Sequence, residues 1–337
     1  MKKVIIGIHG LGNKPPKYLL KKWWKDAMLE GLKKAGYDIN LPVFELVYWA
    51  DILYEKPLNF WQKNIKSPYF LDEPYLKAPE NYKIIKHSIR KKINIVITGI
   101  LNKIFLTKDK TLKNRFISDF ILQKYFYELE IYYNESNEET SDFKQNAKNH
   151  IIQRLTNVIL KYQNYDIMIV AHSMGTIIAF DVLSFLMSEI KINTLVTIGS
   201  PLGFPIVISK IVQENHKLKS DEKSLKTPGC ITYKWYNHAD IEDNVALNYN
   251  LSDVFEPNAN SIKPTDVLVN NNYEVNGHSN PHKSFGYLRT PEFSAILKEF
   301  SEAQKYVVID KLKNKVKDVV DNMRLHGEKI WNKNKSA

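Results

Sequence analysis

Short apolar runs that alternate with helical segments are the feature that most restricts the fold of this chain. Residues 4–8 are mainly β-branched, residues 19–34 carry apolar side chains at helical spacings, and residues 43–49 form a second apolar run. The same order returns where the run 166–170 precedes an apolar helical segment, 176–187. Strands that are apolar throughout are typical of parallel sheets buried on both faces. The alternation therefore predicts an α/β fold, with a mostly parallel β-sheet covered by helices on both faces.

The middle and the end of the chain depart from this pattern. Between residues 52 and 140, aromatic and basic segments replace the regular alternation, and we interpret them as a largely helical insertion, or lid. Residues 301–337 are rich in lysine and predict a basic helix and tail. We therefore predict one domain over residues 1–300, which includes the insertion, and a C-terminal extension of different character.

Charge and cysteine content restrict the partners and the compartment. The chain has 48 basic and 37 acidic residues, a formal charge of +11, and Cys230 is its single cysteine. No recognised nucleic-acid-binding module accompanies the lysines, so nucleic acid is not an expected partner. The first strand follows Met1 too closely for the apolar stretch of a signal peptide, and an intrachain disulfide is impossible. We expect a cytoplasmic protein.

The segment "IVAHSMGT", residues 169–176, places a serine between an apolar strand and an apolar helix. A nucleophile elbow has this context, because a sharp strand-to-helix turn projects the serine hydroxyl above the sheet. The turn needs small residues two positions before and two positions after the serine. Gly175 meets the second requirement, while Ala171 replaces the usual first glycine. Ser173 is therefore a candidate nucleophile.

Several segments together resemble the α/β-hydrolase superfamily, of the lipase and esterase type. They are "HGLGNKPP", "VYWAD", "AHSMGT", "IGSPLG", "WYNHADIEDNVA" and "HKSFGYL", and they lie within residues 1–51 and 164–292. The opening is similar to a bacterial subgroup whose first strand leads into His-Gly-(Leu/Ile/Val)-Gly-Asn. The resemblance implies an α/β-hydrolase fold for the predicted domain.

The same resemblance implies a place for the oxyanion hole. In such hydrolases one amide follows the nucleophile and another lies in the loop after an early strand, which here implies the N–H groups of Met174 and Leu11. Gly10 and Gly12 fit that loop, because glycine lets backbone amides turn inward without a β-carbon clash. Supporting residues implied around the nucleophile and this loop are His9, Gly10, Gly12, His172 and Gly175.

The remaining triad members are expected after the nucleophile, in the order serine, acid, histidine. The resemblance favours Asp243 as the acid, with Asp240, nearer the strand end, as the competitor. For the base it favours His282, with His278 in reserve. The chain lacks the clustered carboxylate or thiolate ligands that zinc binding would need beside its histidines, so we expect neither metal nor cofactor.

These residues predict a serine hydrolase that cleaves carboxylic esters, of small molecules or lipids, through an acyl-enzyme. The alternative is a non-catalytic protein of the same fold that binds a partner or a membrane surface. Residues 93–106 are apolar with flanking cations, and they and the basic tail predict either peripheral contact with anionic membranes or packing on the domain itself. Aromatic residues recur in the first 70 positions, and we call them the aromatic stripe: Trp23, Trp24, Tyr48, Trp49, Trp61, Tyr69 and Phe70. Two interpretations of this stripe are open, since it either packs in the core and lid or forms an apolar acyl-binding wall.

Overall fold

The structure is a computed structural model that describes residues 1–78, 129, 132–133, 147–187, 189–218, 225–246 and 249–302. Within these ranges six strands form one sheet: β1 (Lys3–Ile8), β2 (Val43–Val47), β3 (Asp166–His172), β4 (Ile192–Ile198), β5 (Ile231–Asp240) and β6 (Pro264–Val269). Their order in the sheet is β2-β1-β3-β4-β5-β6, and every neighbouring pair is parallel. A separate antiparallel pair joins β7 (Glu274–Val275) and β8 (His278–Ser279).

Helices connect these strands, as parallel pairing requires. They are α1 (Lys17–Lys34), α2 (Ala50–Leu53), α3 (Ala147–Lys161), α4 (Met174–Phe185), α5 (Pro205–Leu218), α6 (Leu251–Val254) and α7 (Ser284–Leu288), and residues 291–302 are also helical. The chain turns away from α1 at Gly36, two residues beyond the end of the helix. The φ of +70° at Gly36 allows the N–H groups of Gly36 and Tyr37 to donate to the carbonyls of Lys33 and Leu32, at 3.1 and 2.9 Å. The predicted α/β class with a parallel sheet is confirmed.

The two faces of the sheet bury separate apolar clusters. Ile6 and Ile8 of β1 belong to the cluster that packs under α3 and α4, whereas Ile5 belongs to the cluster under α1 and residues 293–300. Successive residues of a strand point to opposite faces, so a run without polar interruption supplies both clusters at once. The predicted helical cover of both faces is present.

Part of the predicted insertion is irregular rather than helical. Residues 54–78 consist of turns, bends and an isolated bridge between Asn59 and Phe70. Prolines at positions 57, 68 and 74 interrupt this stretch, and the side chains of Asn59 and Asn64 accept bonds from backbone N–H groups two residues later, which favours turns. Residues 79–128 and 303–337, which include the apolar segment 93–106 and most of the predicted tail, lie outside the described residues. None of the helices in the described ranges is long and apolar enough to cross a membrane.

His238 is a fully buried imidazole on β5. Within the described part of the chain neither of its ring nitrogens has a hydrogen-bond partner, and the nearest ring is the edge of Phe293, 6.4 Å away between centroids. Burial lowers the pKa of His238 to about 3. The imidazole is therefore neutral in the folded protein at neutral pH.

We expect His238→Leu to raise the free energy of unfolding and to make it less sensitive to acid. The substitution removes two unsatisfied polar atoms, each of which costs about 1–3 kcal/mol when buried. In wild type the unfolded chain takes up a proton at His238 below a pH of about 6.5, while the folded chain does not. The free energy of unfolding of wild type is therefore highest above that pH, and it falls towards pH 3 by up to about 1.4 kcal/mol per pH unit.

Urea unfolding at a series of pH values measures this difference. The control is His278→Leu, because His278 is exposed on β8 and its replacement leaves the burial of His238 unchanged. Equal losses of stability on acidification in His238→Leu and in wild type would contradict the prediction.

Candidate active site

Ser173 lies on the turn between β3 and α4. Its φ of 53° and ψ of −126° are unusual for a residue with a side chain, and its N–H donates to the carbonyl of Ile198 at 3.1 Å. Backbone conformations of this kind cost about 1–3 kcal/mol and persist where the surrounding structure holds them. The strand, sharp turn and helix that the nucleophile elbow requires are present at this serine.

Small residues make this turn possible. A β-carbon on Gly175 would lie 2.7 Å from the carbonyl oxygen of Ile8, and one on Gly10 would lie 2.6 Å from the Cβ of Ser173. Ala171, by contrast, is still within β3, paired with Ile8 on one side, and its methyl group packs in the apolar cluster of that face. The missing first glycine is therefore accommodated without a clash.

A continuous chain of hydrogen bonds starts at Ser173. Its Oγ is 2.9 Å from Nε2 of His282, and Nδ1 of the same ring is 2.9 Å from each carboxylate oxygen of Asp243. All three distances lie within the roughly 2.6–3.2 Å that proton transfer between side chains requires. The structure thus brings together the serine, the histidine and the acid that the sequence analysis favoured.

Asp243 is held by two further donors. The hydroxyl of Tyr287 donates to Oδ2 at 2.7 Å, and the N–H of Val245 donates to Oδ1 at 2.9 Å. Burial and the charge of Asp243 raise the pKa of Tyr287 well above its usual value, so its hydroxyl keeps the donated proton. The carboxylate is fully buried and has a fixed orientation towards His282.

Asp240, the competing acid, has different partners. Its Oδ1 accepts from the N–H of Glu242 at 2.8 Å and its Oδ2 from the N–H of Asn271 at 2.6 Å. Burial is the main cause that raises its pKa. Asp240 therefore ties the end of β5 to neighbouring loops, and no hydrogen bond to a histidine is among its described contacts. His278, the reserve base, lies exposed on β8 and is not brought to the serine.

His9 orients the loop that carries Leu11. Its Nδ1–H donates to the carbonyl of Gly10 at 2.8 Å, and its Nε2 accepts from the N–H of Trp49 at 3.0 Å. The Trp49 indole stacks on the imidazole at 4.8 Å, and burial lowers the pKa of His9 well below its usual range, so the ring is neutral. Because the Gly10 carbonyl and the Leu11 N–H belong to one planar peptide, fixing the first also fixes the direction of the second.

His172 and Met174 flank the serine in the chain. His172 is buried, which lowers its pKa well below the usual range, and its Nε2–H donates to the backbone carbonyl of His282 at 2.7 Å. It therefore positions the histidine loop as a neutral donor. Met174 is the first residue of α4, where backbone N–H groups have no acceptor within the helix. Its N–H therefore needs an acceptor outside α4.

Lys14 closes the glycine-rich loop from the other side. Its ammonium donates to the carbonyls of Leu11 and Gly12, the latter at 3.1 Å, and Gly12 adopts a φ of +84°. With these two carbonyls turned towards Lys14, the loop has a defined conformation next to Ser173. The predicted supporting residues of this loop, His9, Gly10 and Gly12, all border the serine or its cavity.

A cavity of about 430 Å³ opens above Ser173 and His282. Its apolar wall is formed by Leu20, Trp23, Trp24, Phe70, Leu71 and Phe285. Its polar side includes Glu73, whose carboxylate is 2.7 Å from the ammonium of Lys283. Burial opposes ionisation of Glu73, but Lys283 and Asn280 outweigh it and lower the pKa of this carboxyl. The predicted aromatic stripe is thus divided: Trp23, Trp24 and Phe70 line the cavity, whereas Trp61 is 81% exposed and its ring contacts Phe60 of the predicted insertion.

The sequence analysis gave no role to Gly199, Asn271 or Tyr287. A β-carbon on Gly199 would lie 2.9 Å from Oδ2 of Asp243 and 3.2 Å from Nδ1 of His282, and the φ of this residue is +55°. Asn271 donates through Nδ2 to the carbonyls of Pro281 and Lys283, at 2.7 and 2.8 Å, on either side of His282. Gly199 and Tyr287 do fall in the "IGSPLG" and "HKSFGYL" segments, which is the one signal that pointed to them.

Among the described residues, no group of three or more His, Cys, Asp or Glu side chains is arranged to hold a metal ion. No protein-family model matches the chain, and no curated protein matches it.

Proposed function

We propose that this chain is a serine hydrolase of the α/β-hydrolase type that cleaves carboxylic esters through an acyl-enzyme. One observation carries the proposal: Ser173, His282 and Asp243 form a continuous hydrogen-bonded series with distances of 2.9 Å, and Ser173 and His282 line a cavity. A serine hydroxyl becomes an effective nucleophile when a base takes its proton and donors receive the charge that develops on the substrate.

The proposed reaction has two halves. Ser173 Oγ attacks the acyl carbon as Nε2 of His282 takes its proton, and the imidazolium is stabilised by Asp243. The amides of Leu11 and Met174 hold the oxyanion until the C–O bond breaks, when His282 returns the proton to the leaving alcohol. A water molecule then attacks the acyl-enzyme by the same route, which releases the carboxylic acid and restores Ser173. Neither a metal nor an organic cofactor enters these steps.

The cavity supports an acyl or lipid ester as substrate. Its aromatic and aliphatic wall offers burial to a hydrocarbon chain, which gains about 0.8 kcal/mol per buried methylene. The polar side, with Lys14, Glu73 and Lys283, offers partners to a polar leaving group. Activity on p-nitrophenyl esters should therefore rise with acyl length until the wall is filled.

A non-catalytic protein of the same fold is the alternative. Such a protein has no need to keep a serine and an imidazole within proton-transfer distance, and a displaced base is enough to abolish activity. The 2.9 Å separation between Ser173 Oγ and His282 Nε2 favours the enzyme over this alternative.

Labelling with a fluorophosphonate tests the proposal directly. We expect wild type to form a covalent adduct, Ser173→Ala to form none, and intact mass to show one adduct per chain. Ser200→Ala is the matched control, because Ser200 is buried beside the elbow but its hydroxyl donates to Thr176 rather than to a histidine. Failure of wild type to label, or equal labelling of Ser173→Ala, would reject the proposed function.

Two expectations from the sequence remain predictions. The apolar segment 93–106 and most of the basic tail, which predicted either contact with anionic membranes or packing on the domain itself, lie outside the described residues. Vesicle binding of the chain with and without residues 311–337 addresses the tail. The cytoplasmic location likewise remains a prediction.

A further inference from the structure

A stretch within the irregular segment, residues 55–66, presents large apolar side chains to solvent. We call this stretch the aromatic loop. Trp61 is 81% exposed, Ile65 75% and Phe60 51%. Single exposed apolar residues are common on proteins, but three of them within six positions form a patch of the kind that marks an interaction site.

The loop has a defined backbone that turns these side chains outward. Asn59 accepts from the N–H of Trp61 through Oδ1 at 2.9 Å, and Asn64 accepts from the N–H of Lys66 at 3.0 Å. The N–H of Asn59 donates to the carbonyl of Tyr69 at 2.8 Å, which closes the base of the loop. The apolar residues are therefore displayed by a folded loop whose polar side chains are used internally.

The aromatic loop has a net positive charge. Lys56, Lys63 and Lys66 are exposed in the aromatic loop, against one acidic residue, Glu55. Tryptophan prefers the head-group level of a bilayer, where its amphipathic ring is half in hydrocarbon and half in water. Phenylalanine and other apolar side chains of interfacial segments are buried at the boundary between head groups and acyl chains. Each lysine near an anionic membrane surface contributes favourable electrostatic energy, and its long stem lets the ammonium reach the phosphates. The combination matches an anionic lipid surface.

The aromatic loop is joined to the candidate active site. Leu58 lines the cavity, and its N–H donates to the carbonyl of Lys14 at 2.9 Å. The side chain of Asn13 donates to the carbonyl of Lys56 at 2.8 Å. The ring of Phe60 meets the edge of Trp23, a cavity residue, with 6.3 Å between centroids. The aromatic loop therefore borders the cavity and is hydrogen-bonded to the loop of Leu11.

We propose that the aromatic loop docks the protein on an anionic lipid bilayer, with Phe60, Trp61 and Ile65 in the head-group region and the three lysines on lipid phosphates. Docking in this orientation turns the cavity entrance towards the membrane. The surface is separate from residues 93–106 and from the basic tail. Because lipid binding does not require hydrolysis, this proposal stands or fails apart from the proposed enzymatic activity.

Vesicle flotation of the full chain tests the docking. We use the Ser173→Ala background, so that lipid is not consumed, and phosphatidylcholine vesicles with or without phosphatidylglycerol. The loop variant Phe60→Ser/Trp61→Ser/Ile65→Ser should bind anionic vesicles at least about tenfold more weakly, because each side chain loses its burial in lipid. The matched control is Tyr18→Ser/Leu160→Ser/Leu186→Ser, which removes exposed apolar side chains elsewhere and should bind like the parent.

A second measurement identifies the loop itself. Brominated phosphatidylglycerol should quench tryptophan emission of the parent, and most of that quenching should disappear in Trp61→Phe, which keeps a ring in the loop and conserves binding. The proposal is overturned if the parent does not bind anionic vesicles, or if it binds neutral vesicles equally well. Equal binding of the two triple variants, or unchanged quenching in Trp61→Phe, also overturns it. Either result indicates that another segment of the chain contacts the lipid and leaves the aromatic loop for a protein partner.

Discussion

Replacing Asp243 with asparagine is expected to lower kcat for an ester substrate about 10⁴-fold, with little change in KM. In wild type the carboxylate accepts the Nδ1 proton of His282 at 2.9 Å, which leaves Nε2 free to accept the proton of Ser173. An asparagine amide accommodates the opposite tautomer, in which Nε2 carries the proton and no longer acts as a base. The loss should therefore fall on the chemical step, as single-turnover kinetics with a p-nitrophenyl ester would measure.

Asp240→Asn is the matched control for this substitution. Asp240 is the last residue of β5, Asp243 follows three positions later, and both are buried, but the oxygens of Asp240 accept from the backbone N–H groups of Glu242 and Asn271. We expect a loss of stability of about 1–3 kcal/mol from one unsatisfied donor and a kcat close to wild type. A 10⁴-fold loss in Asp240→Asn with a normal rate in Asp243→Asn would reverse the two assignments.

Gly199→Ala should lower kcat/KM by about two orders of magnitude, because displacement of catalytic groups by about 1 Å is enough for such a loss. The added methyl group would lie 2.9 Å from Oδ2 of Asp243 and 3.2 Å from Nδ1 of His282. One of these groups must move, which separates the pair that fixes the imidazole. In addition, alanine at a φ of +55° costs about 1–2 kcal/mol of folding free energy.

Gly36→Ala separates the two effects. Gly36 has a similar φ of +70° at the end of α1, and a β-carbon there would have no atom within 4 Å. We expect the same loss of stability in urea unfolding, with unchanged kcat/KM. If both variants lose activity equally, backbone strain alone accounts for the Gly199 result and the proposed crowding of the Asp243–His282 pair is wrong.

Local sequence patterns were sufficient to predict the parallel sheet and the turn at Ser173. The strand before the serine and the helix after it are both apolar, so their type and burial follow from neighbouring residues alone. The choice between Asp240 and Asp243 could not be made in this way, because the two lie three residues apart. Their difference arises from tertiary structure: Asp240 is the last residue of β5, paired with Val269, and only Asp243 lies beyond the turn that reaches His282.

Long-range contacts also explain what the sequence analysis missed or misplaced. Tyr287 reaches Asp243 across 44 positions of the chain, and Asn271 reaches the carbonyls beside His282 from a loop after β6. Neither contact has a local signature. Aromatic residues carry no mark of which side they will face, so Trp23 and Trp61 fall in one stripe by composition, although the first lines the cavity and the second faces solvent.

The backbone conformation at Ser173 determines which substitution at this position would stabilise the fold. A serine with a φ of 53° lowers the stability of the fold, and glycine at that position would remove the strain. A protein that used this fold without chemistry would gain stability if glycine replaced the serine. The strained serine, whose hydroxyl lies 2.9 Å from an imidazole, therefore supports the proposed role of Ser173 as a nucleophile.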